Sequence, residues 1–237
     1  MNISKIKKKI KRLSVSSFIR NVLTVVSGTI AAQAITMFFS PFITRLYGPE
    51  AFGILGTFTS IIAITTTIAA LTFPIAIVLP KKDIEALALI KLSFIIALFM
   101  SVITFIIIEL IGENLVDLLG VEILAPFLFL IPVLMFLTAG RQIFEQWLIR
   151  KKKFKTIAKI LVYQSLMVNS AKLSGGIIHP TGLVLICIAT IGYGIHTILL
   201  FIGSRKTFPL SLTGLKEKSI TMKETIVKYS DFPIYRI

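Results

Sequence analysis

Lys172 is the side chain in this sequence best suited to binding chemistry. It stands in an apolar stretch, 157–177, with Asn169 three residues before it, Gln164 or Ser165 a turn further back, and Gly176 four residues on. Spacings of three and four put such groups on one helical face. No acidic residue lies in the same stretch to neutralise the ammonium. Such a group is a compact, strongly hydrated charge on a flexible stem, suited to an anion such as a phosphate or carboxylate and able to follow it as it moves. An ionisable residue within an apolar helix is by default a functional candidate. Snorkelling of the side chain toward the headgroups is the plainer alternative.

A second polar stripe, without charge, runs through residues 20–43 and just past them: Thr29, Gln33, Thr36, Ser40 and Thr44 recur at intervals of three and four. Neither stripe can face hydrocarbon without cost, so both are expected to look toward a cavity or a partner helix. Hydrogen bonding between helices is the simpler role for the uncharged members. Gln33 and Asn169 are taken as companions of Lys172 in a binding path. Catalytic constellations are missing from the sequence. His179 and His196 are the two histidines, neither with a metal-ligand partner one turn away, and no glycine-rich phosphate loop ending in Lys-Ser or Lys-Thr occurs. Cys187 is a lone thiol within an apolar stretch, which leaves no disulfide or thiol-pair chemistry. The expectation is a binding or transport protein with no cofactor, and not an enzyme.

The elements that hold these residues follow from hydropathy. Apolar stretches fall near 20–43, 53–79, 87–111, 121–141, 157–177 and 182–203. A hydrocarbon core about 30 Å thick takes roughly 20 residues of helix, and in lipid each backbone N–H and C=O must be satisfied within its own segment. At 55% hydrophobic and 16% charged, with a mean hydropathy of +0.90, the chain has too little polar surface for a soluble domain of this length. The expected fold is therefore an all-α membrane protein with six spans: a basic leader at 1–19, a transmembrane lobe at 20–203, and a basic segment at 204–237. Pro74, Pro126 and Pro132 are expected to break or kink the second and fourth spans.

The net charge of +15 is not a nucleic-acid footprint, because the basic runs sit beside apolar spans instead of covering a soluble face. Alternate gaps, with leader and tail, hold 24 Lys and Arg, against Arg45 alone in the remaining gaps and Lys172 within a span. The gap around Glu109, Glu113, Asp117 and Glu122 has no basic residue at all. By the positive-inside rule both termini are cytoplasmic. Span 1 is too long for the apolar region of a cleavable signal peptide, so the leader is read as part of a retained signal anchor.

Three blocks carry a resemblance. Thr44-Arg45-Leu46-Tyr47-Gly48-Pro49-Glu50-Ala51-Phe52-Gly53 occupies the first outward gap, Ala76-Ile77-Val78-Leu79-Pro80-Lys81-Lys82-Asp83 closes span 2, and Arg150-Lys151-Lys152-Lys153-Phe154-Lys155 joins spans 4 and 5. In type and order these resemble the polysaccharide (O-antigen and capsule type) flippases of the multidrug/oligosaccharidyl-lipid/polysaccharide exporter superfamily. The resemblance implies a two-lobed exporter of which this chain is the N-terminal lobe, in a bacterial cytoplasmic membrane. It also implies a cavity that takes an undecaprenyl-pyrophosphate-linked oligosaccharide, with cationic residues serving the pyrophosphate. On that basis Lys172 is the leading substrate-binding residue, and Arg45 stands either at the outer mouth or in a structural turn built on Gly48-Pro49. Family members have about twice as many spans, and Tyr229-Ser230-Asp231-Phe232-Pro233-Ile234-Tyr235 resembles the lead into a seventh. The chain is accordingly expected to be a truncated half that needs a second lobe or a second copy, with an inert or scaffolding membrane fragment, or drug export, as the alternatives.

The charge asymmetry makes a topological prediction. A reporter enzyme fused after Gly120 is expected to read as external and one fused after Lys153 as cytoplasmic; a cytoplasmic reading at Gly120 would overturn the scheme.

Overall fold

The computed structural model describes residues 3–69, 73–119 and 122–208, with side chains from Ile19 onward other than at 68, 113, 115 and 117–119. The basic leader is thus described by its backbone alone, and the tail beyond Phe208 lies outside the described residues. All described regular structure is helical: α1 (Ile3–Ala69), α2 (Phe73–Ala76), α3 (Asp83–Leu119), a 3₁₀ turn (Glu122–Phe127), α4 (Leu130–Arg150), α5 (Phe154–Ile178) and α6 (Gly182–Ser204).

Three segments are long and apolar enough to cross a membrane: Ile19–Thr67, Asp83–Gly112 and Gly182–Ser204. This is a membrane protein by that measure, with fewer strongly apolar crossings than the six expected. The first two expected spans fall in one helical run. The fifth is less apolar because it carries Lys159 and Lys172 besides its polar face.

The fourth element also starts and stops elsewhere than expected. The apolar run at 121–141 suggests a helix there, whereas α4 occupies Leu130–Arg150. Pro126 sits in the 3₁₀ turn and Pro132 in the first turn of α4, where an absent N–H costs nothing. At its other end α4 runs through Arg141 and Glu145, which pair across one turn at 2.9 Å. Helix α4 is the central post of the bundle. Its buried side chains enter four apolar clusters: Leu134 packs with both halves of α1 and with α6, Met135 and Ala139 with α3, Ile143 and Trp147 with α2 and α3, and Phe144 and Leu148 with α5 and α6.

The expected gap between the first two spans is no loop. Helix continues on both sides of a single non-helical residue, Gly48, whose φ of 72° and ψ of 172° lie where only glycine is at ease. Pro49 then opens the second arm with its φ already fixed for helix. Both arms feed one cluster: Ile43 and Tyr47 before the break, and Ala51, Leu55, Phe58 and Ile62 after it, are all buried with Leu185 and Ile186.

No atom lies within 4 Å of where a Cβ on Gly48 would point, so a substitution there meets only the conformational cost. Gly48→Ala is expected to lower stability by about 1–3 kcal/mol and Gly48→Val by more, because this combination of φ and ψ is closed to residues that carry a side chain. Thermal unfolding of the detergent-solubilised protein measures the order glycine, alanine, valine.

Candidate functional site

Helices α1 and α5 lie side by side, and two close approaches bring them together. At one end a Cβ on Gly28 would come within 2.6 Å of the Ala158 side chain. At the other, Gly176 gives the Tyr47 ring room, since a Cβ there would fall 2.7 Å from its Cε2 atom. Small residues let helices associate closely where hydrophobicity alone gives no drive to associate in lipid.

Between these points the two polar stripes meet. Ser165 donates to the Ala32 carbonyl at 2.8 Å, and its Oγ lies 3.1 Å from Thr36 Oγ1. Asn169 is 5% exposed, and its Nδ2 donates to Thr36 Oγ1 at 3.1 Å and to the Ser165 carbonyl at 2.8 Å. Every member has a partner, so the cluster acts as a polar clasp, each bond across helices contributing on the order of 1 kcal/mol.

Lys172 follows one turn later on α5. It is half-buried, and its ammonium forms no ion pair or hydrogen bond among the described residues. Its backbone takes part in the seam: the Tyr47 hydroxyl donates to the Lys172 carbonyl at 2.9 Å. That bond ties the Arg45–Pro49 motif to the turn that carries the free cation. Sequence reading missed Tyr47, although the Gly175-Gly176 pair was a sign that something bulky approaches α5 there.

The sequence-derived residues are only partly gathered. Asn169 and Lys172 share the α5 face at the seam. Gln33 lies one turn before Thr36 on α1 with its side chain exposed and takes no part in the clasp, and Ser40 and Thr44 are exposed beside it. The Thr44 hydroxyl bonds back to the Ser40 carbonyl at 2.9 Å. Arg45 is exposed two residues before Tyr47.

A second cluster closes the opposite end of the bundle. Arg150 donates from Nη2 and Nε to Asp83 Oδ1 at 3.0 and 3.1 Å and from Nη1 to the Ile77 and Pro80 carbonyls, while Lys151 reaches Asp83 Oδ2 at 2.6 Å. Lys151 also stands 4.8 Å above the Trp147 ring. The Lys151 hydrogen bond holds the Asp83 carboxyl below its ordinary range, against an opposing effect of burial and with Arg150 adding to the lowering. Two blocks 67 residues apart in sequence are thereby joined.

Residues 42–217, well over half of the chain, match a family described as polysaccharide biosynthesis protein. The chain belongs to that family. The family's matched region takes in the Tyr47 motif, the Asp83–Arg150 clamp and the Lys172 turn alike. No curated protein and no solved structure matches the chain.

Tyr47→Phe is expected to lower stability by about 1 kcal/mol, the worth of one such bond. Gly176→Leu should cost several times more, because α5 must move off the ring. Melting temperatures of the two variants in one detergent test the order; an unchanged Gly176→Leu would mean that the seam does not hold the helices together.

Proposed function

We propose that the protein translocates lipid-linked oligosaccharide, the repeat units of a cell-surface polysaccharide, across the bacterial cytoplasmic membrane, and that it does so as one lobe of a two-lobed exporter. The observation that carries this reading is membership of a polysaccharide biosynthesis family across the segment in which the Tyr47 motif is bonded to the Lys172 turn. A role in transport fits a bundle that holds a cation, Lys172, unpaired among the described residues and beside a satisfied polar clasp.

Six crossings are consistent with the helix lengths. Ile19–Thr67 is 49 residues, about 73 Å of helix and more than twice the thickness of the hydrocarbon core, so with its break at Gly48 it is best read as two crossings. Helices α4 and α5 are 21 and 25 residues long, roughly 32 and 38 Å, enough to span once surrounded by neighbours. With both termini cytoplasmic, the turn at Lys151–Lys153 and the Asp83 clamp face the cytoplasm and the Tyr47 motif faces outward.

In this reading Lys172 receives the pyrophosphate of an undecaprenyl-linked substrate as it passes the seam. Asn169 and Thr36 hold α5 in register beneath it, and Gln33 and Arg45 extend the polar path along α1. A second lobe, from another chain or a second copy, closes the cavity on the far side.

Export of surface polysaccharide by cells carrying the protein together with its second lobe tests the proposal. Lys172→Ala is expected to lower export at least about tenfold at normal membrane levels, whereas Lys172→Arg retains part of it because charge is kept while geometry changes. Wild-type export from a well-inserted Lys172→Ala protein would reduce the residue to a snorkelling side chain.

A further inference from the structure

The junction of α4 and α5 carries four lysines within five positions, Lys151, Lys152, Lys153 and Lys155, of which only the first is paired. Asp83 takes Arg150 and Lys151. Lys152, Lys153 and Lys155, with Arg20 from α1, form no ion pair among the described residues. These four cations converge on a cavity of about 450 Å³ whose remaining walls include Asn21 and Thr156, and none of its lining side chains is acidic. Like charges brought together without a counter-charge are unfavourable, and they are most readily reconciled by an anion.

The cavity adjoins a second one. Thr24 and Lys155 border both, and beyond them a groove of about 460 Å³ runs between α1 and α5 over Gly28, Ala31 and Ala158, with Lys159 at its side. Its floor is the Gly28–Ala158 approach, where the helices nearly touch. From Lys155 to Tyr163 it covers about 12 Å of helix. Cationic cup and apolar groove thus lie end to end, the arrangement that an amphiphile with a phosphate head and a hydrocarbon tail requires.

The backbone at the centre of this run departs from the ordinary helix end. Lys152 has φ 56°, the left-handed conformation. It closes α4 in a Schellman turn, with Lys153 N–H donating to the Leu148 carbonyl at 2.8 Å and Lys152 N–H to the Ile149 carbonyl at 2.9 Å. Glycine is the usual residue at that position, and a lysine there is strained.

We infer that the Arg20/Lys152/Lys153/Lys155 cup and the α1–α5 groove form a binding site for a phosphate-bearing lipid, head in the cup and chain in the groove. The site is separate from Lys172. It does not rest on the transport reading, since binding is measured without export.

The experiment uses the full chain in neutral detergent, titrated with phosphatidic acid, phosphatidylcholine or inorganic pyrophosphate and read by native mass spectrometry, with melting temperature measured in parallel. Wild type is expected to bind phosphatidic acid about tenfold more tightly than either of the other probes. Lys152→Gly should weaken phosphatidic acid binding about fivefold, as loss of one cation near a phosphate does, while its melting temperature holds or rises because strain is relieved. Ala31→Trp, which fills the groove, should weaken phosphatidic acid and leave pyrophosphate unchanged. Equal binding of phosphatidic acid and phosphatidylcholine overturns the inference, as does unchanged binding by Lys152→Gly. Pyrophosphate bound as tightly as phosphatidic acid would make the cup a free-phosphate site and overturn the lipid assignment. A Lys152→Gly protein that loses both binding and stability would make the lysine structural, and overturns it too.

Discussion

The close packing of α1 on α5 is the contact on which the rest of the candidate site depends. In hydrocarbon, helices gain nothing by hiding leucines from solvent, so they hold together by near approach and by polar groups that need one another. Gly28 against Ala158 and Gly176 against Tyr47 bring the two backbones close, and the Thr36–Ser165–Asn169 clasp between them is satisfied only because they do. Lys172 occupies the same face one turn beyond the clasp. Its position is therefore fixed by residues that are themselves uncharged and hydrogen-bonded to one another.

At the other end of the bundle, electrostatics does what close packing does at the seam. Arg150 uses its fork on one carboxylate and two carbonyls at once, which holds the segment after α2 against the end of α4. Because Asp83 absorbs two cations, the lysines that follow are left to face the cavity beside Arg20 unneutralised. One acidic residue thus divides the basic run into a structural part and a part open to a ligand.

The sequence was informative where local signals decide. Helices α5 and α6 were read to within three residues, because His179-Pro180-Thr181 ends one and begins the next and Thr181 accepts from Val184 N–H at the start of α6. Helix α4 was misplaced because hydropathy favoured 121–141, whereas Pro126 confines 122–127 to a 3₁₀ turn and the charged Arg141 and Glu145 continue the helix by pairing with each other. The polar stripes were visible as spacing, but which members meet was not. Thr36 and Asn169 are 133 residues apart, and only the rotation of α1 on α5 selects Thr36 while leaving Gln33 outside the clasp. Tyr47 escaped notice for a related reason: in sequence it belongs to a turn motif, and its partner is a backbone carbonyl, which has no signature in side-chain pattern.

The break at Gly48 also has a mechanical meaning. Tyr47, just before it, is fastened to α5, and everything after it is carried by the two dihedrals of one glycine. The arm from Pro49 to Ala69 is about 30 Å of helix, so a rotation of roughly 10° at that pivot displaces its far end by about 5 Å. Such a lever needs no unwinding of either arm. Its resistance comes from packing along the whole arm: Ala51, Leu55, Phe58 and Ile62 lie with Leu185 and Ile186, and Ala69 at the tip is buried with Ala97, Ile131 and Ala139, so any swing must repack both clusters together.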